Sequence, residues 1–291
     1  MRTIPLGPGA PDVSVVGFGG MPLSIQGRPD EATGLRVIHA ALDAGVTLVD
    51  TADAYCFDDA DIGHNERLIA KALDGWTGDR TRIVVATKGG LTRPEGRWEQ
   101  SARPDRLKRA CERSLAALGV DRIDLYQLHA PDPRVPFTET VGALADLQRE
   151  GKIRWVGLSN VSVEEIEEAN TIIRVVTVQN RLNPFFREAL EGGVVAHCGR
   201  EGIGFLAYSP VGGGRLNQKL PDHPVAGTIA ARHQASAHAV VLAWVLAQGA
   251  TVIAIPGART APHARDSASA AGLTLSAGDL AELDQAAFSR A

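Results

Sequence analysis

The sequence predicts an α/β fold: a (β/α)8 TIM barrel with a short N-terminal hairpin and an extra C-terminal helix. Three observations carry that expectation. Short apolar, β-branched runs alternate with longer amphipathic segments along all 291 residues. The runs are nearly continuous rather than alternating, as in strands buried on both faces of a parallel sheet. There are eight of them at strand–helix spacing, the number that closes such a barrel.

Taken in order, the expected strands are 13–18, 47–50, 83–87, 123–128, 155–158, 175–179, 203–207 and 252–255. Helical patterns between them cover 30–44, 65–73, 104–118, 138–151, 163–170, 188–200, 236–248 and 262–271, and a final helix runs from 276 to about 287. Segment 3–9, with Pro8-Gly9 ahead of the first barrel strand, is the expected hairpin across the barrel floor. No linker, low-complexity tract or change of composition divides the chain, so 1–291 reads as one domain. A doubly wound fold is the competing reading, because Gly17-Phe18-Gly19-Gly20 follows a strand. Its fingerprint requires Gly-x-Gly-x-x-Gly opening a helix. Here Pro22 stands at the third glycine position and 24–27 reads as a loop, so that fold is rejected.

Composition narrows the function. The chain is 44% apolar and 22% charged, with a net charge of −4 and no block of like charges. A nucleic-acid partner would want a basic face, and there is none. Cys56, Cys111 and Cys198 are far apart in the sequence, a pattern that suits a reducing cytosol and builds neither a disulfide framework nor a metal site. No secretory leader and no run of 18 apolar residues is visible. The expectation is a soluble, cytoplasmic protein, monomeric or weakly self-associating, without membrane partners.

The chemistry is concentrated where early strands end. The second predicted strand ends in Asp50, followed by Thr51-Ala52-Asp53-Ala54-Tyr55; the third runs into Lys88; the fourth runs into His129. C-terminal strand ends of a barrel converge on one mouth. A carboxylate, an ammonium, an imidazole and a phenol are therefore expected together. Singly, each has an ordinary structural reading as a cap, an ion pair or a packed side chain. Together they make a proton-donor set. Carbonyl reduction leaves negative charge on oxygen, and a tyrosine can protonate it. A neighbouring ammonium favours the phenolate and is expected to lower the tyrosine pKa. Asp50 would hold Lys88, and His129 would donate to the carbonyl oxygen.

Several segments carry a resemblance. They include Gly17-Phe18-Gly19-Gly20-Met21, Val49-Asp50-Thr51-Ala52-Asp53-Ala54-Tyr55, Gly63-His64-Asn65-Glu66-Arg67-Leu68 and Thr87-Lys88-Gly89. Further ones are Leu128-His129, Lys152-Ile153-Arg154-Trp155-Val156-Gly157-Leu158-Ser159-Asn160, Val178-Gln179-Asn180, Ala207-Tyr208-Ser209-Pro210 and Ile255-Pro256-Gly257. As a set they resemble the aldo-keto reductase family nearly end to end. The resemblance implies an NADP(H)-dependent oxidoreductase whose tetrad falls on Asp50, Tyr55, Lys88 and His129. It implies an extended NADP(H) across the mouth, beside Gly20 and Met21, with NAD(H) the less expected cofactor. Ser159, Asn160 and Gln179 would hold the nicotinamide carboxamide and Tyr208 would stack on the ring. Ser209, Pro210, Val211, Gly212 and Gly214 would let backbone approach the pyrophosphate. Ile255, Pro256 and Gly257 would lead to the adenosine end, where Arg259 is the candidate for the 2′-phosphate. There the sequence departs from the family pattern: Asp266-Ser267 stand in place of a Glu-Asn pair, beside His263.

Candidates for the substrate wall are Met21, Phe57, Trp98 and Phe185, with Cys56 as a small apolar wall residue. The segments around Tyr55 and His64 resemble a branch with pyridoxal reductases and sugar-modifying oxidoreductases. The alternative of another class is a cofactor-bound regulatory or redox-sensing subunit like the potassium-channel β-subunits. A metal-dependent barrel hydrolase would need His-x-His or clustered carboxylates at strand ends, and the sequence has neither.

Overall fold

In the computed structural model, which describes residues 1–290, the apolar runs become eight parallel strands of one sheet. They are β1 (Phe18–Gly19), β2 (Leu48–Asp50), β3 (Val84–Gly89), β4 (Ile123–Leu128), β5 (Ile153–Ser159), β6 (Val175–Arg181), β7 (Gly204–Tyr208) and β8 (Val252–Ala254). Each pairs with the next in sequence. The two ends of the sheet meet. Parallel bridges join Val16 to Ala254 and Gly19 to Gly257. The amides of Gly17 and Gly19 donate to the carbonyls of Ala254 and Pro256 at 2.8 and 2.9 Å. A Cβ on Gly19 would come within 2.8 Å of the Ile255 carbonyl oxygen. The glycines that mimic part of a dinucleotide fingerprint are therefore the seam of a barrel.

The predicted first strand is divided. Asp12–Ser14 pairs antiparallel with Thr3–Pro5 as the hairpin, and the barrel keeps only β1. Ser14 is the point of division. Its amide donates to Thr47 Oγ1 (2.8 Å), and its hydroxyl accepts from the Thr47 amide (2.9 Å) and donates to the Val16 carbonyl (2.7 Å). These bonds fix the chain as it leaves the hairpin for the sheet. Leu6, fully buried, plugs the barrel floor beneath Leu48, Ala86, Leu125, Val176, Leu206 and Ile253. The seat is close: a Cβ on Gly204 would lie 1.9 Å from the Leu6 carbonyl oxygen. Backbone cannot yield there as a flexible side chain would. Gly204→Ala is expected to destabilise the fold by about 2–4 kcal/mol, read from urea unfolding midpoints. An unchanged midpoint would mean the hairpin is not seated against β7.

Helices ring the sheet, among them Glu31–Asp43, His64–Gly75, Pro104–Leu118, Phe137–Arg149, Ala237–Leu246 and Ala261–Ser269. Their starts follow from capping residues. Asp30, Ser236 and Thr260 accept from the third helical amide, and Ser162 and Ser276 form full capping boxes. The extra C-terminal helix is Ala277–Gln285. Three features differ from expectation. Gly192 and Gly193, the latter at φ 74°, cut the 188–200 helix into Glu188–Glu191 and Val194–Glu201. A helix, Pro224–His233, occupies a stretch to which the sequence pattern assigns no element. The loop after β3 carries its own hairpin, Leu91–Thr92 against Glu99–Gln100.

Candidate active site

The C-terminal ends of the strands open on a cavity of about 590 Å3. Lys88, near the end of β3, is fully buried and donates from Nζ to Asp50 Oδ1 (2.6 Å), the Thr51 carbonyl (2.8 Å) and Tyr55 Oη (3.0 Å). Asp50, ending β2, accepts at Oδ2 from Gln179 (2.7 Å) and Gln127 (3.4 Å). The turn that delivers Tyr55 is pinned from below. Thr51 Oγ1 donates to Asn65 Oδ1 (2.6 Å), and Asn65 Nδ2 donates to the Gly20 carbonyl (2.9 Å) and Ser24 Oγ (2.7 Å). The first turn of helix His64–Gly75 thus anchors the turn bearing the phenol. His129 completes the group, its ring 5.6 Å from Tyr55 and nearly perpendicular to it. All four residues expected at the mouth are brought together.

Their electrostatics depart from expectation in one respect. Burial pushes the Tyr55 phenol up, and the Lys88 charge draws it only part of the way back, so it sits above its ordinary value. Desolvation outweighs the ammonium, and Tyr55 is a phenol rather than a phenolate at neutrality. Burial also pushes the Lys88 ammonium down, but Asp50 and Tyr55 more than offset it and its pKa is raised. His129 is held well below the usual imidazole range, by burial first and by Lys88 second. It is neutral, and its Nδ1 is buried without a hydrogen-bond partner among the described residues.

Behind the Tyr55 turn lies a feature that sequence reading missed. Asp53 and Glu66 are both buried; Glu66 accepts from Thr87 Oγ1 at 2.6 Å. The Asp53 oxygens make no hydrogen bond among the described residues, and the nearest cation, Arg113, stands at 3.6 Å. Burial, then the Glu66 charge, pushes Asp53 well above the usual carboxylate range. An acid raised on folding stabilises below its unfolded pKa, and that contribution is lost as pH rises toward the folded value. Asp53→Asn is therefore expected to raise stability at pH 8 by about 1–2 kcal/mol and to flatten the decline that sets in as pH rises above the unfolded carboxylate value of about 3.9. Thermal midpoints across that range check it, and an unchanged slope would count against it.

Around the rest of the mouth, Ser159 Oγ donates to the Gln179 carbonyl (2.7 Å). Asn160 Nδ2 donates to the His129 carbonyl (2.9 Å), and Asn160 Oδ1 accepts from Tyr208 Oη (2.8 Å). Asn160 and Ser209 are non-glycine residues at φ 60° and 48°, strain of the kind that collects at functional sites. Ser209, Pro210, Val211, Gly213, Gly214 and Asn217 line the far side of the cavity, and Gly212, Gly213 and Gly214 take left-handed φ of 92°, 63° and 38°. Met21, Trp98, Ile255 and Gly257 also line it.

Other expected site residues lie elsewhere. Gly20, Gly212 and Pro256 sit beside the cavity without lining it. The Arg259 guanidinium donates to the carbonyls of Pro22 (3.2 Å) and Gln26 (3.0 Å). Asp266 accepts from Ser236 Oγ (2.7 Å), and His263 and Ser267 stand with it on helix Ala261–Ser269, outside the cavity lining. Phe57 packs outward under Arg28 at 3.8 Å, and Phe185 is buried edge-on to Phe288 at 5.2 Å. Neither walls the pocket. Cys56 is buried, donates to the Ala54 carbonyl (3.4 Å) and is pushed up to about 12 by burial, so it is an inert thiol. Leu91 and Arg181 line the mouth unexpectedly. Arg181 was legible: it follows Gln179 by two, the period that keeps a strand face.

An eight-stranded barrel with a buried carboxylate–ammonium–phenol chain at its C-terminal mouth is the class of protein that fold and site define. Residues 15–287 match the sequence model of the Aldo/keto reductase family, and the chain belongs to that family. It is 34% identical to a probable aldo-keto reductase of Glycine max over 98% of this chain and 89% of the relative. It is 35% identical to the 6-dehydroglucose reductase of Novosphingobium aromaticivorans, over 89% and 86%. Among solved structures it is similar to an aldo/keto reductase from Klebsiella pneumoniae described in complex with NADP and acetate. There the TM-score is 0.81 and the identity 28%, over 98% of this chain and 95% of the other. The glycerol dehydrogenase of Gluconobacter oxydans gives a TM-score of 0.83 at 30% identity, over 97% and 94%. Among the described residues there is no group of side chains that could hold a metal ion and no helix long and apolar enough to cross a membrane.

Proposed function

We propose that this chain uses NADP(H) to reduce an aldehyde or ketone to an alcohol, with Tyr55 as general acid. One observation carries the reading: the contacts Asp50–Lys88–Tyr55, at 2.6 and 3.0 Å, ending beside His129 in an open cavity. A nicotinamide bound there would supply hydride to the carbonyl carbon. Ser159, Asn160 and Gln179 offer donors and acceptors that fit its carboxamide, and Tyr208 offers a ring face. The backbone of 209–214 fits the pyrophosphate. Arg259 suits a 2′-phosphate once it gives up its two backbone carbonyls, and the NADP named for the Klebsiella relative supports NADP(H) over NAD(H).

The residues then do the proton work. As charge develops on the carbonyl oxygen, Tyr55 Oη transfers its proton there. The phenolate left behind is stabilised by the Lys88 ammonium, which Asp50 and the Thr51 carbonyl hold in place. Neutral His129 offers an N–H to the same oxygen. Run in reverse, the same groups oxidise an alcohol. The reductases and dehydrogenase among the relatives favour turnover over a regulatory role.

The test is the loss of NADPH absorbance with a panel of aldehydes, ketones and pyridoxal, alongside equilibrium NADPH binding. Turnover on a carbonyl supports the reading. Tight binding with no turnover on any carbonyl would favour the regulatory alternative, and no cofactor binding would sink both.

A further inference from the structure

Arg93 is a buried charge that the proton chemistry does not use. It is 1% exposed and its Nε has no hydrogen-bond partner among the described residues. Its guanidinium donates to neutral oxygens, Gln26 Oε1 (3.2 Å) and the Phe57 carbonyl (3.4 Å). Asp59, the carboxylate bonded to this segment, accepts from the Arg93 amide (2.7 Å) and Thr92 Oγ1 (2.6 Å), which fixes the hairpin backbone rather than the guanidinium. Desolvating a guanidinium on such partners is unfavourable, so a further contact must justify its position. That contact is Trp98, whose ring lies 3.9 Å from the guanidinium carbon, within the range of a cation–π interaction.

The Trp98 indole is 46% exposed and follows a turn with Glu95 at φ 51° and Gly96 at φ 80°, so little else immobilises it. Its ring stands edge-on to Tyr55 at 6.2 Å and 83°, and to His129 at 6.2 Å and 65°, while those two rings cross at 81°. Three rings thus form a corner at the reacting groups. Met21, Ile25 and Leu91 add apolar surface to the lining of the same cavity.

We infer that Arg93 is a positioning residue that fixes Trp98 as the third wall of this corner, so that the site selects flat aryl aldehydes over hydroxylated aliphatic ones. The inference rests on the reductase reading above. Benzaldehyde and glyceraldehyde would be compared in wild type, Arg93→Met and Arg93→Lys with NADPH. Acrylamide quenching of tryptophan fluorescence would be followed in each, with Trp98→Phe identifying the Trp98 signal. Wild type should favour benzaldehyde in kcat/KM by about tenfold or more. Arg93→Met should raise KM for benzaldehyde about tenfold, hold kcat within about threefold, and make Trp98 more easily quenched. Arg93→Lys keeps the charge without the planar stack, so its KM should lie between the two. If Arg93→Met does not fold, the lysine variant alone must show raised KM with kcat held.

Equal losses of kcat on both aldehydes with unchanged quenching would overturn the inference, as would a wild-type preference for glyceraldehyde. No turnover of either aldehyde by wild type would count against the reductase reading instead. The quenching comparison still decides the hold of Arg93 on Trp98, and unchanged quenching would overturn it.

Discussion

Tyr55→Phe is expected to lower kcat by about 10²–10⁴-fold with a responsive carbonyl, while the Kd for NADPH changes by less than about threefold. The substitution removes one oxygen from the corner where three rings meet. The phenyl ring keeps its place against His129 and Trp98, so the cavity walls persist. What is lost is the hydroxyl proposed to give up its proton, the one that the buried Lys88 ammonium touches at 3.0 Å. The Lys88 ammonium retains its bonds to Asp50 and the Thr51 carbonyl, so the charge stays buried and compensated. The loss should therefore fall on kcat, the mark of an interaction made only as charge develops. Stopped-flow absorbance with saturating cofactor reads it directly. A variant within about fivefold of wild type would place the acid elsewhere, with His129 next in line.

The Tyr55 pKa is raised rather than depressed, by burial first. The sequence places an ammonium beside the phenol and suggests depression; it does not show how dry the site is. Only the packing of the turn on Asn65, Gly20 and Trp98 makes that visible. A protonated phenol at neutral pH suits an acid whose acceptor becomes strongly basic during the reaction. Raising pH should then leave the tyrosine protonated well into the alkaline range.

The same distinction runs through the fold. Strands β3, β4 and β7 were legible because they are continuous apolar runs between clear helical patterns, and the tetrad because each member ends a strand or follows one closely. The division at Ser14 was not, because nothing local says that a serine thirty-three positions before Thr47 will exchange hydrogen bonds with it. The hairpin around Trp98 was hidden by its composition. Glu95, Gly96, Arg97 and Glu99 read as solvated loop, while its stability comes from Asp59 and Arg93, contacts made at long range. Phe57 and Phe185 failed as wall residues for a related reason: an aromatic near the mouth must still choose a side. Phe57 is drawn outward by Arg28, and Phe185 inward by Phe288.

Lys88→Met should have the second large effect, on stability as well as on rate. It removes a fully buried cation and leaves Asp50 almost equally buried, with only the side-chain amides of Gln179 and Gln127 to satisfy it. An unpaired buried carboxylate costs about 3–5 kcal/mol. Adding Asp50→Asn should recover much of that loss, because the second charge is then gone. If the double variant is no more stable than Lys88→Met, the pair does not act as a unit.

The pH dependence gives an independent sign. Lys88 is raised above its ordinary value in the fold, so its contribution is complete below the unfolded lysine pKa, near 10.4. It is lost as pH climbs through the higher folded value. Wild type should therefore lose stability at alkaline pH faster than Lys88→Met does, and the two urea curves should draw together as pH climbs through the folded lysine value. Parallel curves from pH 8 upward would mean that the ammonium is no better stabilised in the fold than in the unfolded chain. The account of Lys88 as the charge that receives the Tyr55 phenolate would then fall with it.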